Sequence, residues 1–181
     1  MRLLKDNTVA VCIDIQEKLF PFINDNSQLT DNCIKIISGL KIIGVPVIVT
    51  EQYSKGLGTT IEPLKAALEE EYQPLEKMTF SCMKDDEFLK KIKRMDKKNV
   101  IVFGIEAHVC VLQTALDLRE KGFIPILIED CTSSRKLNDK SIAIERMRSE
   151  GVIISTLESI LFEMLVVSGT DEFRAVSKII K

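Results

Sequence analysis

Apolar positions fall in two rhythms along the chain. Near-continuous apolar runs recur at residues 8–13, 45–49, 100–103, 124–128 and 152–154. Runs of this kind, rich in Val and Ile and not alternating with polar residues, suit strands buried on both faces of a parallel sheet. A weaker sixth run, 72–75, is polar at Gln73 and broken by Pro74. Between them the period lengthens to that of a helix. Leu29, Cys33, Ile36, Ile37, Leu40 and Ile43 share one face of 29–43, and 85–95, 111–121 and 140–149 carry similar stripes. Two closing helices are expected at 157–167 and 172–180, split by Ser168-Gly169-Thr170-Asp171. Gly44, Gly122 and Gly151 each stand between a helical stripe and an apolar run, where a helix stop belongs.

Strands alternating with helices imply a parallel sheet with right-handed crossovers, covered on both faces. In such sheets ligands bind beyond the carboxyl ends of the strands, where strand order reverses. A length of 181 residues fits one domain, 1–181. The formal net charge of -2 argues against nucleic acid as a partner. No apolar run approaches the roughly 18 residues of a membrane span. The opening residues MRLLKDN lead directly into the first apolar run without a cleavage site, and are read as mature sequence. Five scattered cysteines, with no CxxC pair, read as reduced thiols of a cytoplasmic protein. His108 is the one histidine, so a His-rich metal site is excluded. The Lys90-Lys91-Ile92-Lys93-Arg94 run reads as a solvated helix face.

The candidate chemistry stands at the strand ends. Asp14 closes the first strand, either as an N-cap or as a functional carboxylate. The second strand runs into Thr50-Glu51-Gln52-Tyr53 and a loop with Gly56 and Gly58, more readily a turn than a pocket wall. Lys77 follows the weak third strand. The fourth leads to Gly104-Ile105-Glu106-Ala107-His108-Val109-Cys110, with a helix expected to begin near Cys110. A thiol in the first turn of a helix beside a lysine has its pKa lowered, to roughly 3.5–7.5 in known cases. A neighbouring carboxylate opposes that shift. Cys131, after the fifth strand, is a second candidate nucleophile, whereas Cys12 and Cys33 read as core. His108 reads as a pocket-lining or hydrogen-bonding residue. GxGxxG, GxxxxGK[ST] and GxSxG are all absent. If the strand order is 3-2-1-4-5-6, Asp14 and Cys110 face each other across the crevice and Lys77 approaches from the third strand. A thiol, a proton acceptor and an ammonium form a nucleophilic triad, and backbone N–H groups at the helix start form an oxyanion hole.

Three segments, Val11-Cys12-Ile13-Asp14-Ile15-Gln16, Lys77-Met78-Thr79-Phe80-Ser81 and Gly104 through Val111, resemble the isochorismatase-like cysteine hydrolases. The Glu106-Ala107-His108 form, together with Thr50-Glu51-Gln52-Tyr53 and Lys55-Gly56-Leu57-Gly58, is most similar to the isochorismatase domain-containing subgroup. The resemblance implies a Rossmann-like three-layer α/β/α fold with a six-stranded parallel sheet. It implies a triad of Asp14, Lys77 and Cys110, and a cis peptide between Ile105 and Glu106. That peptide directs the Glu106 N–H to the oxyanion beside that of Cys110. Nicotinamidases of this superfamily carry a His-rich metal site after the second strand. Here that loop has no histidine, so no metal and no cofactor are expected.

The expected function is cysteine-dependent hydrolysis of a small amide or related compound through a thioester. The alternatives are a non-catalytic oligomeric scaffold on the same fold and a thiol redox protein. Phe20, Tyr53, Phe80 and His108 are the expected substrate-binding residues. A homo-oligomer is expected too, because 160–167 carries more apolar surface than one helix face can bury.

Overall fold

A computed structural model of the chain describes residues 2–181. Six strands form one sheet: β1 (Thr8–Ile13), β2 (Val47–Gln52), β3 (Leu75–Lys77), β4 (Asn99–Gly104), β5 (Ile124–Thr132) and β6 (Ile153–Ser155). Their order is β3-β2-β1-β4-β5-β6, and every pairing is parallel, as the sequence predicts. The helices are α1 (Asn26–Ile43), α2 (Ser54–Leu57), α3 (Glu62–Leu68), α4 (Asp86–Arg94), α5 (Leu112–Glu120), α6 (Leu137–Ser149), α7 (Leu157–Leu165) and α8 (Asp171–Ile180).

Alternate strand residues supply the two faces of the sheet, which is why both faces need apolar side chains. Ala10, Cys12, Ile101 and Phe103 pack beneath α1, α3, α7 and α8. Val9, Val11, Val100 and Val102 pack beneath α4, α5 and α6. The result is three layers with the sheet in the middle.

Three departures from the sequence pattern have local causes. β2 begins after Pro46 and runs on through Thr50, Glu51 and Gln52, because those polar side chains find buried partners. β3 starts after Pro74 and ends on Lys77. α3 was not predicted: it is seven residues long, buries only Leu64 and Leu68, and gives no sustained period. The apolar segment 160–167 is also corrected. Ile160, Leu161, Met164 and Leu165 are buried within the chain itself. Gly39 admits α7 against α1, since a Cβ there would lie 2.5 Å from a Leu161 methyl. Phe162 packs on Phe173 of α8 with ring centroids 5.8 Å apart. Only Val166 and Val167 of that segment are well exposed, so its apolar surface is spent on the chain's own helices.

Candidate active site

The register of the central strands builds the site. Ile13, the last residue of β1, pairs with Thr50 of β2 and Gly104 of β4. Gly104 has φ +124°, and a Cβ at that position would lie 2.2 Å from the Ile13 carbonyl oxygen. Only glycine tolerates both conditions. The ends of β1 and β4 are thereby pressed together, which sets Asp14 beside the segment leading to Cys110. Asp14 itself takes φ +51° as the chain leaves the sheet.

Asp14 is not an N-cap. Its Oδ1 accepts a 2.7 Å bond from Thr50 Oγ1, and its Oδ2 lies 2.6 Å from Lys77 Nζ. Lys77 also donates to the carbonyls of Thr79 and Phe80 at 3.0 and 3.1 Å, so all three ammonium donors are used. Cys110 lies in a π-type turn, Ala107–Val111, that runs directly into α5. Its thiol is 3.4 Å from Gln52 Oε1. Asp14, Lys77 and Cys110 are exposed by only 1%, 2% and 4%.

At Cys110 the balance between lysine and carboxylate that the sequence leaves open falls on the carboxylate's side. Burial pushes the thiol pKa up, the Asp14 charge adds to that, and Lys77 opposes both without prevailing. The resting sulfur is therefore a protonated thiol. Burial works to lower the Lys77 pKa, but the Asp14 carboxylate outweighs it and holds the ammonium above its ordinary value. A salt bridge this deep is costly to break, because either partner alone is a stranded charge.

The polar end of β2, read from the sequence as a turn, supplies the site directly. Thr50 orients Asp14, and Gln52 meets the thiol. Gln16 holds Gln52 in place. It donates to the carbonyls of Gln52 and Gly58 at 3.0 and 2.7 Å and accepts from the Gln52 N–H at 2.7 Å. Glu51 is a buried carboxylate whose Oε1 accepts from Thr60 N, Thr60 Oγ1 and Tyr72 OH at 2.7, 2.8 and 2.6 Å. That bond and burial push the Tyr72 hydroxyl up to about 12. The signal for these residues was three polar positions ending a strand that is buried on both sides.

The Ile105–Glu106 peptide is cis. Ala107 N donates to Ser133 O at 2.9 Å, and Ser133 N donates to Gly104 O at 3.3 Å, so the segment after β5 is stitched to the approach to Cys110. The Glu106 carboxylate accepts from Arg135 N and Nε at 3.1 and 3.0 Å. His108 turns towards that segment: its Nδ1 is 3.0 Å from Ser134 Oγ and its Nε2 3.9 Å from Asp139. Phe20 is half-buried against the core on the α1 side. Tyr53 is exposed, with its ring over Gly56. Phe80 is exposed in a hollow shared with Met78, Gln113 and Leu116. Cys131 is fully buried on the α1 side, where Cys33 donates to its carbonyl at 3.6 Å. Among the described residues no ammonium comparable to Lys77 is buried beside it, and burial drives its pKa up. Among the described residues no group of three or more His, Cys, Asp or Glu is placed to hold a metal.

The isochorismatase domain family matches residues 8–159. The chain belongs to the isochorismatase family. The chain is 35% identical over 179 residues to isochorismatase domain-containing protein 1 of Salmo salar, covering 99% of this chain and 62% of that protein. A Phytophthora sojae protein described as a secreted isochorismatase effector is 34% identical over 183 residues, covering 99% and 87%. This chain thus spans under two thirds of the fish protein's length and most of the Phytophthora one. A Caenorhabditis elegans structure described as MAR1 ribonuclease superposes with a TM-score of 0.92 at 36% identity, covering 99% of this chain and 92% of that one. An Escherichia coli structure described as an octameric hydrolase of unknown specificity shares the fold, with a TM-score of 0.92 at 22% identity over 99% and 89%. No helix among the described residues is long and apolar enough to cross a membrane.

Proposed function

We propose that this chain, folded as one domain over 1–181, hydrolyses a small amide or related carbonyl compound through a thioester on Cys110. The observation that carries this reading is the buried convergence of Asp14, Lys77 and Cys110 at the switch point of the sheet. Asp14 takes the thiol proton as sulfur attacks the carbonyl carbon and passes it to the leaving group. Lys77 holds and orients the Asp14 carboxylate through their buried 2.6 Å ion pair. The Glu106 and Cys110 backbone N–H groups hold the oxyanion, each such donor being worth about 10²–10³ in rate. The Glu106 N–H has no partner within the chain among the described residues. Water activated by Asp14 then cleaves the thioester. A protonated resting thiol suits this scheme, because the proton leaves only when substrate is attacked. No cofactor takes part.

The ribonuclease name belongs to the worm protein. In this chain Lys93, Lys97, Lys98 and Lys121 gather at the amino edge of the sheet, opposite the edge that carries Cys110. That separation supports a small-molecule substrate over a nucleic acid. A homo-oligomer is part of the same reading, resting on exposed Met78, Phe80, Leu137 and Ile142 near the carboxyl edge instead of on 160–167. Five unpaired thiols support a reducing, cytoplasmic setting.

The test is a panel of small amides and carbamoyl compounds offered to the wild type and to Cys110→Ser. A hydrolysed compound that Cys110→Ser leaves intact is expected. Equal turnover by both proteins would overturn the reading, and a folded protein that turns over nothing would favour the scaffold.

A further inference from the structure

The sulfur of Cys110 carries one proton and has two acceptors within reach, the Asp14 carboxylate and the Gln52 carboxamide. The carboxylate is already engaged. Its Oδ1 accepts from Thr50 Oγ1 at 2.7 Å and its Oδ2 from Lys77 Nζ at 2.6 Å. Gln52 Oε1 accepts from no other donor among the described residues and lies 3.4 Å from the sulfur. The orientation of that amide is built in. Its Nε2 donates to Met78 O at 3.4 Å, so turning the amide over would set Oε1 against a carbonyl oxygen. The backbone of Gln52 is held as firmly. β1 ends at Ile13, opposite Thr50, and leaves Gln52 without a strand partner on that side. The fully buried side chain of Gln16 takes the strand's place, donating to the Gln52 carbonyl at 3.0 Å and accepting from its N–H at 2.7 Å. On the other side Gln52 pairs with Lys77.

We propose that Gln52 is a positioning residue for the nucleophile: in the empty site its Oε1 accepts the Cys110 S–H bond, holding the sulfur in one rotamer and keeping its proton from Asp14 until substrate arrives. This rests on the thioester reading above and adds the resting state to it. A hydrogen bond made to the neutral form of an acid disfavours its ionisation. With Nε2 tied to Met78, the amide meets a thiolate with its oxygen, and that contact is repulsive. Gln52 thus acts in the same direction as burial and Asp14, which push the thiol pKa up, and against Lys77. Cys82, the other titratable group near the sulfur, is itself a buried thiol pushed up to about 11. The consequence is a guarded nucleophile. The thiolate is the form that oxidants and alkylating agents attack, and the empty site does not offer it.

The test compares the rate at which iodoacetamide labels Cys110 in the wild type, Gln52→Ala and Gln52→Glu, at one mildly alkaline pH, with the site read by peptide mass. The thiolate attacks the methylene carbon of the reagent, a C–S bond forms and iodide leaves, so the rate follows the thiolate fraction. Gln52→Ala removes the acceptor and is expected to label about fivefold faster, the worth of one neutral hydrogen bond of roughly 1 kcal/mol. Gln52→Met, which keeps the length of the side chain without its oxygen, repeats that prediction where the smaller residue loosens the fold. Gln52→Glu keeps the shape and adds a negative charge beside the sulfur, and should label at least about tenfold slower. Gln73→Ala, at an exposed position before β3, should match the wild type. Opposite signs for Ala and Glu are what a merely structural side chain would not produce. Any other pattern with Cys110 still labelled, including a faster Ala variant beside a Glu variant at the wild-type rate, would make Gln52 a packing or covering residue. That would overturn the inference and leave the nucleophile standing. No labelling of Cys110 in any of these proteins would overturn the nucleophile and this inference with it.

Discussion

Two buried thiols stand at neighbouring strand ends of this sheet, and their surroundings differ in one respect. Cys110, beyond β4, has the Asp14–Lys77 pair beside it. Cys131, at the end of β5, has the Cys33 thiol and the apolar underside of α1. Burial raises both pKa values, so burial does not separate them. What separates them is the buried Asp14–Lys77 ion pair, the proposed base and its partner cation, which stands beside Cys110 alone. On the proposed mechanism, reactivity is a property of the company a thiol keeps across the sheet, and helix position alone does not confer it.

The sharpest way to break the comparison is to exchange serine into each position. Cys110→Ser should lower turnover by at least about 10³-fold, whereas Cys131→Ser should stay within about twofold. The reverse pattern in steady-state kinetics would place the chemistry on β5. Asp14→Asn should cost about 10²–10⁴ in kcat with the fold intact by circular dichroism, because an amide cannot accept the thiol proton. Lys77→Met strands the buried Asp14 charge, so its first effect is on stability. A loss of about 3–5 kcal/mol in denaturant unfolding is expected, and an unchanged midpoint would show that the pair is not buried in solution.

Alkali sharpens the comparison from the other side. Cys12, Cys33, Cys82, Cys110 and Cys131 all have folded pKa values raised by burial. Above about pH 8.5 the unfolded chain releases thiol protons that the folded chain keeps. Stability should therefore be level through neutrality and fall as pH rises beyond that point, by about 1.4 kcal/mol per pH unit for each thiol still protonated in the fold. Lys77 adds to the loss higher up, since its raised pKa contributes stability that disappears as pH climbs through the folded value. Unfolding midpoints that hold steady from pH 8 to pH 10, as approximate limits, would contradict this. The smallest effect is expected from chelation, which should leave activity unchanged; activity lost with EDTA and restored by one metal would mean that a ligand set has been overlooked.

The strand order was legible from the alternation of apolar runs and helical stripes, and the meeting of Asp14, Lys77 and Cys110 from residue type at the strand ends. A carboxylate, a lysine and a cysteine placed directly after apolar runs have few structural reasons to be there. Thr50, Gln52 and Gln16 were not legible as site residues, since polar residues after a strand usually mark a turn. Only the parallel register, which sets Thr50 against Leu75 and Gln52 against Lys77, reveals that the two β2 residues stay in the sheet, while Gln16 lies outside the strands and joins through its bonds to Gln52. The direction of the thiol's shift was left open for a related reason. Sequence shows a helix start and a lysine, but not the depth of the site, and depth decides the sign of the shift. The apolar stretch 160–167 was read as a subunit contact because sequence does not show that Gly39 opens a groove for it on α1.

The most direct measurement is mass spectrometry of a reaction quenched during turnover of an amide found in the panel. The account predicts an acyl adduct on the peptide carrying Cys110, absent in Cys110→Ser and strongly reduced in Asp14→Asn, where the thiol proton has no acceptor. An adduct on Cys131, or steady product release with Cys110 unmodified throughout and no thioester trapped by hydroxylamine, would contradict it.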